Sequence, residues 1–437
     1  MAERYTIATE EILREDIVVE KRTRGNIILL TGGRLVSLFG SGVQGIAIPL
    51  YILDQTGKAS MMGLFSIASL IPALLFAPLA GVLGDRFNRK MIMISTDVVR
   101  FLLVSLLAVL ATLDMLALAA LFIVQVFVSI SDSLFNSSSD GILPDLVNIE
   151  SLHKVNATKG GSEAAALILG PVAGGVIYGV GGILPVFIIN AFSFALSGVL
   201  EGFIRYRRTT GDTAKLTIRF FGVRVKEPFQ FVYRHPAIRQ LFIMGTAMYF
   251  LLYPLFDVVL PFIVKKTIGF SSTQMGVLFG FLMGGMLLGN IVTSGIFKRM
   301  GPKKLIRFGL VAEMLLIMMV GTSVLPFIMS ALGGASLHFF TILCVLMAII
   351  GFFCTWVLMP VNTNMQKIVP NEMRSRFYSV FNMSTQAAVP LSAVIYGVLL
   401  DIVSSFYIVF GVGVVFSLLA LNFLLRAKEE IYNPQTK

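Results

Sequence analysis

The chain has 437 residues, 56% of them hydrophobic and only 14% charged, with a formal net charge of +11. Soluble domains carry about a quarter of their residues as charges, so an ordinary cytosolic globule is excluded, and so is disorder, which needs low hydrophobicity. Two cysteines (Cys344, Cys354) exclude a disulfide framework and three histidines a His-rich metal site, so neither a metal nor a cofactor is expected.

A spanning helix needs about 20 largely apolar residues. By that ruler twelve spans are predicted, at 26–54, 59–84, 91–111, 116–137, 155–180, 183–204, 238–264, 272–296, 305–325, 338–360, 376–400 and 404–426. The runs are continuous and do not alternate, so a closed barrel is excluded and an all-α membrane protein remains. Thirty of the 35 basic residues fall on the side holding both termini and the even-numbered connections. Lys58, Lys265 and Lys266 lie on the other side, and Arg34 and Arg100 fall within spans. The positive-inside rule then places both termini in the cytoplasm, and the basic excess reports topology, not nucleic-acid binding. Residues 1–25 mix acids with bases and form an expected cytoplasmic tail. The span after them is too long for a signal peptide, so it is expected to act as its own insertion signal.

The first six spans (26–204) and the last six (238–426) are expected to form two six-helix bundles, joined by a basic cytoplasmic loop at 205–237 and followed by a tail at 427–437. Within the loop, an amphipathic stretch near Phe220–Tyr233 suits the membrane surface. The halves repeat in register. Pro49 precedes Gly57 by eight residues and Pro261 precedes Gly269 by eight; Gly63 then aligns with Gly276, and "GPVAGGVIYGV" (170–180) echoes "VPLSAVIYGVL" (389–399). Repeated halves with a site near the bilayer midplane are how many secondary transporters are built.

Span 1 contributes Arg34 and Gln44, polar groups that are expensive in lipid and therefore functional candidates. Its Gly40–Gly45 string spells a dinucleotide fingerprint but has no preceding strand, so it reads as helix packing. Between spans 2 and 3 stand Gly81, Gly84, Asp85, Arg86, Asn88, Arg89 and Lys90. There glycine allows close backbone approach and one acid among three bases can bridge helix ends. This segment resembles the loop signature G-x-x-x-D-R-x-G-R-R/K of the major facilitator superfamily, with Asn88 in place of the usual glycine, a residue that also tolerates left-handed geometry. The resemblance implies two bundles around a central cavity and a conformational latch at Gly81, Asp85, Arg86 and Arg89. The second-half counterpart, Lys298 to Lys304, lacks the acid, so any latch there must differ.

Asp97 and Arg100 in span 3, one turn apart, suit mutual neutralisation. Asp132 in span 4 and Glu163 in span 5 are candidates for substrate or proton binding, although Lys159 at i−4 can neutralise Glu163. Span 5 carries Gly170, Pro171, Gly174 and Gly175. A proline there removes a backbone donor beside small residues that let a neighbour approach. The run is similar to the helix-kink signature of facilitator exporters, with Ala166 replacing its first glycine; a plain packing kink is the competing reading. The wording of residues 35–175 is similar to macrolide-efflux permeases.

In span 7, Tyr249, Tyr253 and Asp257 recur every four residues on one stripe. Two rings and a carboxylate can hold an amphipathic cation, and the carboxyl can exchange a proton against it. Alternatively, the stripe is aromatic packing and Asp257 pairs with an arginine such as Arg34. Gly276, Gly280, Gly284 and Gly289 make span 8 a packing face, and the family resemblance implies that span 9 lies at the periphery, so Glu313 there is expected in a structural pair. With no nucleotide signature and no nucleophile–base pair, an enzyme is not expected. The reading is a proton-coupled exporter of amphipathic, drug- or macrolide-like small molecules in the cell membrane. It would work as a monomer, with substrate, protons and lipid as its partners. A lipid or lysolipid flippase of the same fold and a non-transporting sensor or scaffold are the alternatives.

Overall fold

In lipid every backbone polar group must be satisfied within its own segment, which leaves helices for continuous apolar runs. The computed structural model describes residues 2–147, 149–206 and 229–433, and among them twelve helices are long and apolar enough to cross a membrane. These are α1 (Thr23–Thr56), α2 (Ala59–Arg86), α3 (Arg89–Thr112), α4 (Leu118–Leu146), α5 (Val155–Gly181) and α6 (Ile183–Gly202), then α7 (Pro236–Ile268), α8 (Ser272–Phe297), α9 (Arg299–Ser323), α10 (Leu337–Ile368), α11 (Asn371–Ile402) and α12 (Ser405–Arg426). The amphipathic stretch anticipated near Phe220–Tyr233 lies largely outside the described residues.

Several helices outrun their apolar runs. α4 continues nine residues past the expected end at 137, through a serine- and aspartate-rich stretch. Its 29 residues measure roughly 43 Å at 1.5 Å per residue, longer than the ~30 Å hydrocarbon core. A hydropathy ruler finds the lipid-facing part of such a helix and misses the part that projects beyond it.

Termini follow local chemistry. Gly57 (φ 67°) and Gly269 (φ 92°) end α1 and α7 in left-handed conformation, each eight residues after its proline. The same backbone solution thus appears at both positions of the repeat. Ser271 and Gln274 form a capping box at the start of α8. The chain turns from α8 into α9 by a break at Gly301 (φ 74°, ψ 157°), within the first residues of α9. α7 is wound wide as π-helix over Leu255–Val259 and Ile263–Ile268; Pro261 between them has no N–H to offer the carbonyl four residues earlier.

The described residues form two compact units. One takes in residues 1–44, 75–170 and 184–215, with a core of Leu30, Met93, Phe135, Ile142 and Leu143. The other takes in residues 45–74, 171–183 and 216–437. It holds α7 to α12 together with the 45–56 end of α1, the first half of α2 and the last turns of α5. Within it α5 meets α8 so closely that a Cβ on Gly175 would lie 2.5 Å from Gly276 Cα. Repeat-related α11 meets α2 in the same way, a Cβ on Gly63 lying 2.4 Å from the Ala393 carbonyl oxygen.

Candidate functional site

The stripe on α7 faces a cavity of about 330 Å³ in the second unit, lined by Tyr249, Tyr253, Asp257, Met283, Glu313 and Cys354 among others. This volume is within the range of small-molecule sites. The two tyrosine rings stack at 6.2 Å with planes 9° apart. Asp257 lies in the π-helical turn Leu255–Val259, the kind of local widening that recurs at functional sites. Its Oδ2 accepts from Ser66 Oγ of α2 at 3.2 Å. No ion pair is formed by Asp257 among the described residues, so the pairing with Arg34 considered from sequence is not made. Glu313, expected in a structural pair, instead lines this cavity without an ion pair among the described residues. It is 2% exposed, neighbours the Cys354 thiol, and its Oε2 has no hydrogen-bond partner among the described residues.

The remaining substrate and proton candidates, Arg34, Gln44, Asp132 and Glu163, lie in the first unit. Arg34 donates through Nε to Glu163 and stands 4.0 Å from Asp140. Lys159 pairs with Asp140 and lies 3.8 Å from Glu163. Two bases and two acids from α1, α4 and α5 thus form one mixed-sign network. Gln44 accepts from Asn190 Nδ2 at 2.6 Å; both are buried, and they pin α1 to α6. Asp132 accepts from Arg100 Nη1 at 2.6 Å, while Arg100 Nη2 reaches Asp97. The guanidinium carbon stands 4.3 Å from the Phe135 ring centre and 4.5 Å from that of Phe194. Glu201 joins this cluster through Ser197.

At the α2–α3 turn, Arg89 donates to Asp85 at 3.1 Å, to Asp145 at 3.0 Å and to the Gly141 carbonyl at 2.7 Å. Asp145, at the far end of α4, was not anticipated from the loop sequence. Asn88 is extended (φ −68°, ψ 112°) and its side chain accepts from Met91 N. It serves as an N-cap, so left-handed tolerance is not what the asparagine supplies. Gly81 has open space where a Cβ would point, and Arg86 is exposed. On α5, a Cβ on Gly170 would lie 2.9 Å from Gly42 Cα; Gly174 and Gly175 are buried, and the helix runs unbroken through Pro171.

Three further clusters in the second unit lie outside the expected set. Asp54, at the end of α1, pairs with Lys265 and accepts from Tyr178 Oη at 2.6 Å. Asp401, at the end of α11, accepts from the backbone N–H of Ala59 at 2.7 Å and of Ser60 at 3.2 Å, capping α2. The third cluster supplies an acid to the α8–α9 turn. Lys303 donates to Glu429 at 2.6 Å, from a short helix, Glu429–Tyr432. Asn364 of α10 holds that helix through the Ile431 carbonyl at 2.8 Å. The hydrogen bond from Lys303, with its charge, holds the exposed Glu429 carboxyl below the ordinary 4.5.

Twelve spans, intramembrane acids and an amphipathic cavity define a polytopic helical membrane protein of the transporter class. Residues 30–325 match the model of the Major Facilitator Superfamily. The chain belongs to that family, whose members are transporters and not enzymes. It is 25% identical over 261 residues to macrolide efflux protein A of Streptococcus pyogenes, covering 59% of this chain and 64% of that protein, so less than two thirds of that relative is spanned. It is 23% identical over 423 residues to the multidrug efflux pump Tap of Mycolicibacterium fortuitum, covering 95% and 97% of the two chains. In fold it is similar to a bacterial homologue of the iron transporter ferroportin in the inward-facing state, with a TM-score of 0.68 and 18% identity over 92% of this chain and 99% of that one.

Proposed function

We propose that the protein is a proton-coupled exporter of amphipathic small molecules, drug- or macrolide-like, acting as a monomer in the plasma membrane with both termini cytoplasmic. The observation that carries this reading is the α7 cavity, whose stacked tyrosines, apolar walls and carboxyls have no ion-paired base among the described residues. Such a cavity suits a lipophilic cation, the rings meeting its apolar body and Asp257 its charge. The names of the efflux relatives point the same way.

Transport in this reading is alternating access. The halves 26–204 and 238–426 rock about the site, with the Asp85–Arg89–Asp145 network stabilising one state and the Asp54–Lys265 and Asp401–α2 contacts the other. Coupling arises because cation and proton compete for the cavity's negative charge, so the proton gradient drives release. In proteoliposomes, substrate movement should follow an imposed pH gradient and fall at least about tenfold in Asp257→Asn. Movement indifferent to the gradient removes proton coupling, and normal coupled transport by Asp257→Asn removes that residue from the mechanism.

A further inference from the structure

The cavity holds two carboxyls in different surroundings. Asp257 receives a hydroxyl hydrogen bond from Ser66 at 3.2 Å, and a donor of that kind stabilises a carboxylate. Glu313 comes from α9 and is 2% exposed. One of its oxygens has no partner among the described residues, and its polar neighbour is the Cys354 thiol, a weak donor. The titratable groups facing this space are Tyr249, Tyr253 and Asp257 of α7, Glu313 of α9 and Cys354 of α10. α8 lines it only with apolar side chains such as Phe279, Met283 and Met286, and α12 carries no titratable residue between Tyr407 and Arg426. Two like charges in so apolar a space, with no ion-paired base among the described residues, cannot both persist without a cation between them.

We infer that Glu313 carries the exchanged proton while Asp257 receives the substrate's charge, so that the two carboxyls divide the coupling between them. In the empty cavity Glu313 is the neutral acid and Asp257 the carboxylate. When a monovalent cation settles against Asp257, its charge lets the Glu313 O–H bond break. The proton passes to water on the side the cavity faces, and Glu313 becomes a carboxylate. One positive charge enters as one leaves, so the exchange is one for one and the cavity keeps its net charge. This inference rests on the reading of Asp257 as the cation anchor.

The test uses the purified full chain and tetraphenylphosphonium, an amphipathic cation with no proton of its own. Binding linked to release of one proton strengthens about tenfold per pH unit while Glu313 stays protonated in the empty state. The wild type is expected to show that slope and one proton released per cation bound, read by calorimetry in two buffers of different ionisation enthalpy. Glu313→Gln is expected to release no proton and to bind with a flat pH profile, weaker than wild type at the alkaline end. A Glu313→Gln protein that releases protons like wild type overturns the inference. Asp257→Asn separates the two ideas. Unchanged affinity in that variant defeats the anchor reading, whereas lost binding beside an unaltered Glu313→Gln slope defeats only the assignment of the proton. Should Glu313→Gln not fold, infrared difference spectra of wild type and Glu313→Asp still decide the matter. The protonated-carboxyl band lost on cation binding should move with the substitution, and an unmoved band overturns the inference.

Discussion

The two compact units treat intramembrane charge differently. In the first, acids and bases meet in mixed-sign networks, Arg34 and Lys159 with Asp140 and Glu163, Arg100 with Asp97 and Asp132. In the second, Asp257 and Glu313 share a cavity to which no base is ion-paired among the described residues. A charge held by its opposite in low dielectric is costly to separate and fixes helices against each other. An acid left without a counter-charge beside an open volume is available to a ligand or a proton. Burial does not distinguish the two cases, since Asp97 and Glu313 are 1% and 2% exposed; the sign of the neighbours does.

Four substitutions test that contrast. The largest effect is expected from Arg100→Ala, which leaves Asp97 and Asp132 without their shared base. Breaking a buried pair costs about 3–5 kcal/mol, so the yield of folded, monodisperse protein should collapse on size-exclusion chromatography. A yield like wild type would place these charges outside the structural class. Next comes Asp257→Asn, expected to leave folding intact and cut lipophilic-cation transport at least about tenfold; a loss of folded protein instead would make Asp257 another structural acid. Asp401→Ala removes the α2 cap, at a cost of about 1 kcal/mol. Faster hydrogen exchange at the Ala59 and Ser60 amides, several-fold over wild type, is the expected reading. The smallest effect belongs to Glu429→Gln. Because Lys303 holds the Glu429 carboxyl below 4.5, that contact stabilises the folded protein above the unfolded-state value. Its contribution fades as pH falls through the lower folded-state value. Wild type should lose protection of residues 428–432 in that acid window, and the variant should lack it at every pH.

Much of this was legible in the sequence because it is local. Span positions follow from apolar runs, and the matched Pro49–Gly57 and Pro261–Gly269 spacing shows in the sequence as an internal repeat. The stripe Tyr249–Tyr253–Asp257 follows from helical period, and the pairing of Asp97 with Arg100 from their separation of one turn. Asp145 beside Arg89, Asp401 on the α2 N-terminus and Asp54 beside Lys265 were not legible, since each joins residues 56 to 342 positions apart. A signal existed for Asp401, an acid closing an otherwise apolar span on the side poor in bases. The family resemblance implies a peripheral α9, which points away from a cavity role for Glu313. Only the packing of α7, α8 and α10 shows that its side chain reaches a cavity.

The Lys303–Glu429 contact carries a consequence for how the molecule is made. Its acid lies 126 residues after its base, with three further spans between. Where the first half closes its turn with Asp85, a neighbour of Arg89, the second half must wait. During synthesis the α8–α9 corner stays uncompensated until α12 has been threaded and the segment beyond it emerges from the ribosome. A nascent chain arrested before residue 429 therefore lacks the carboxylate that meets Lys303 in the finished protein.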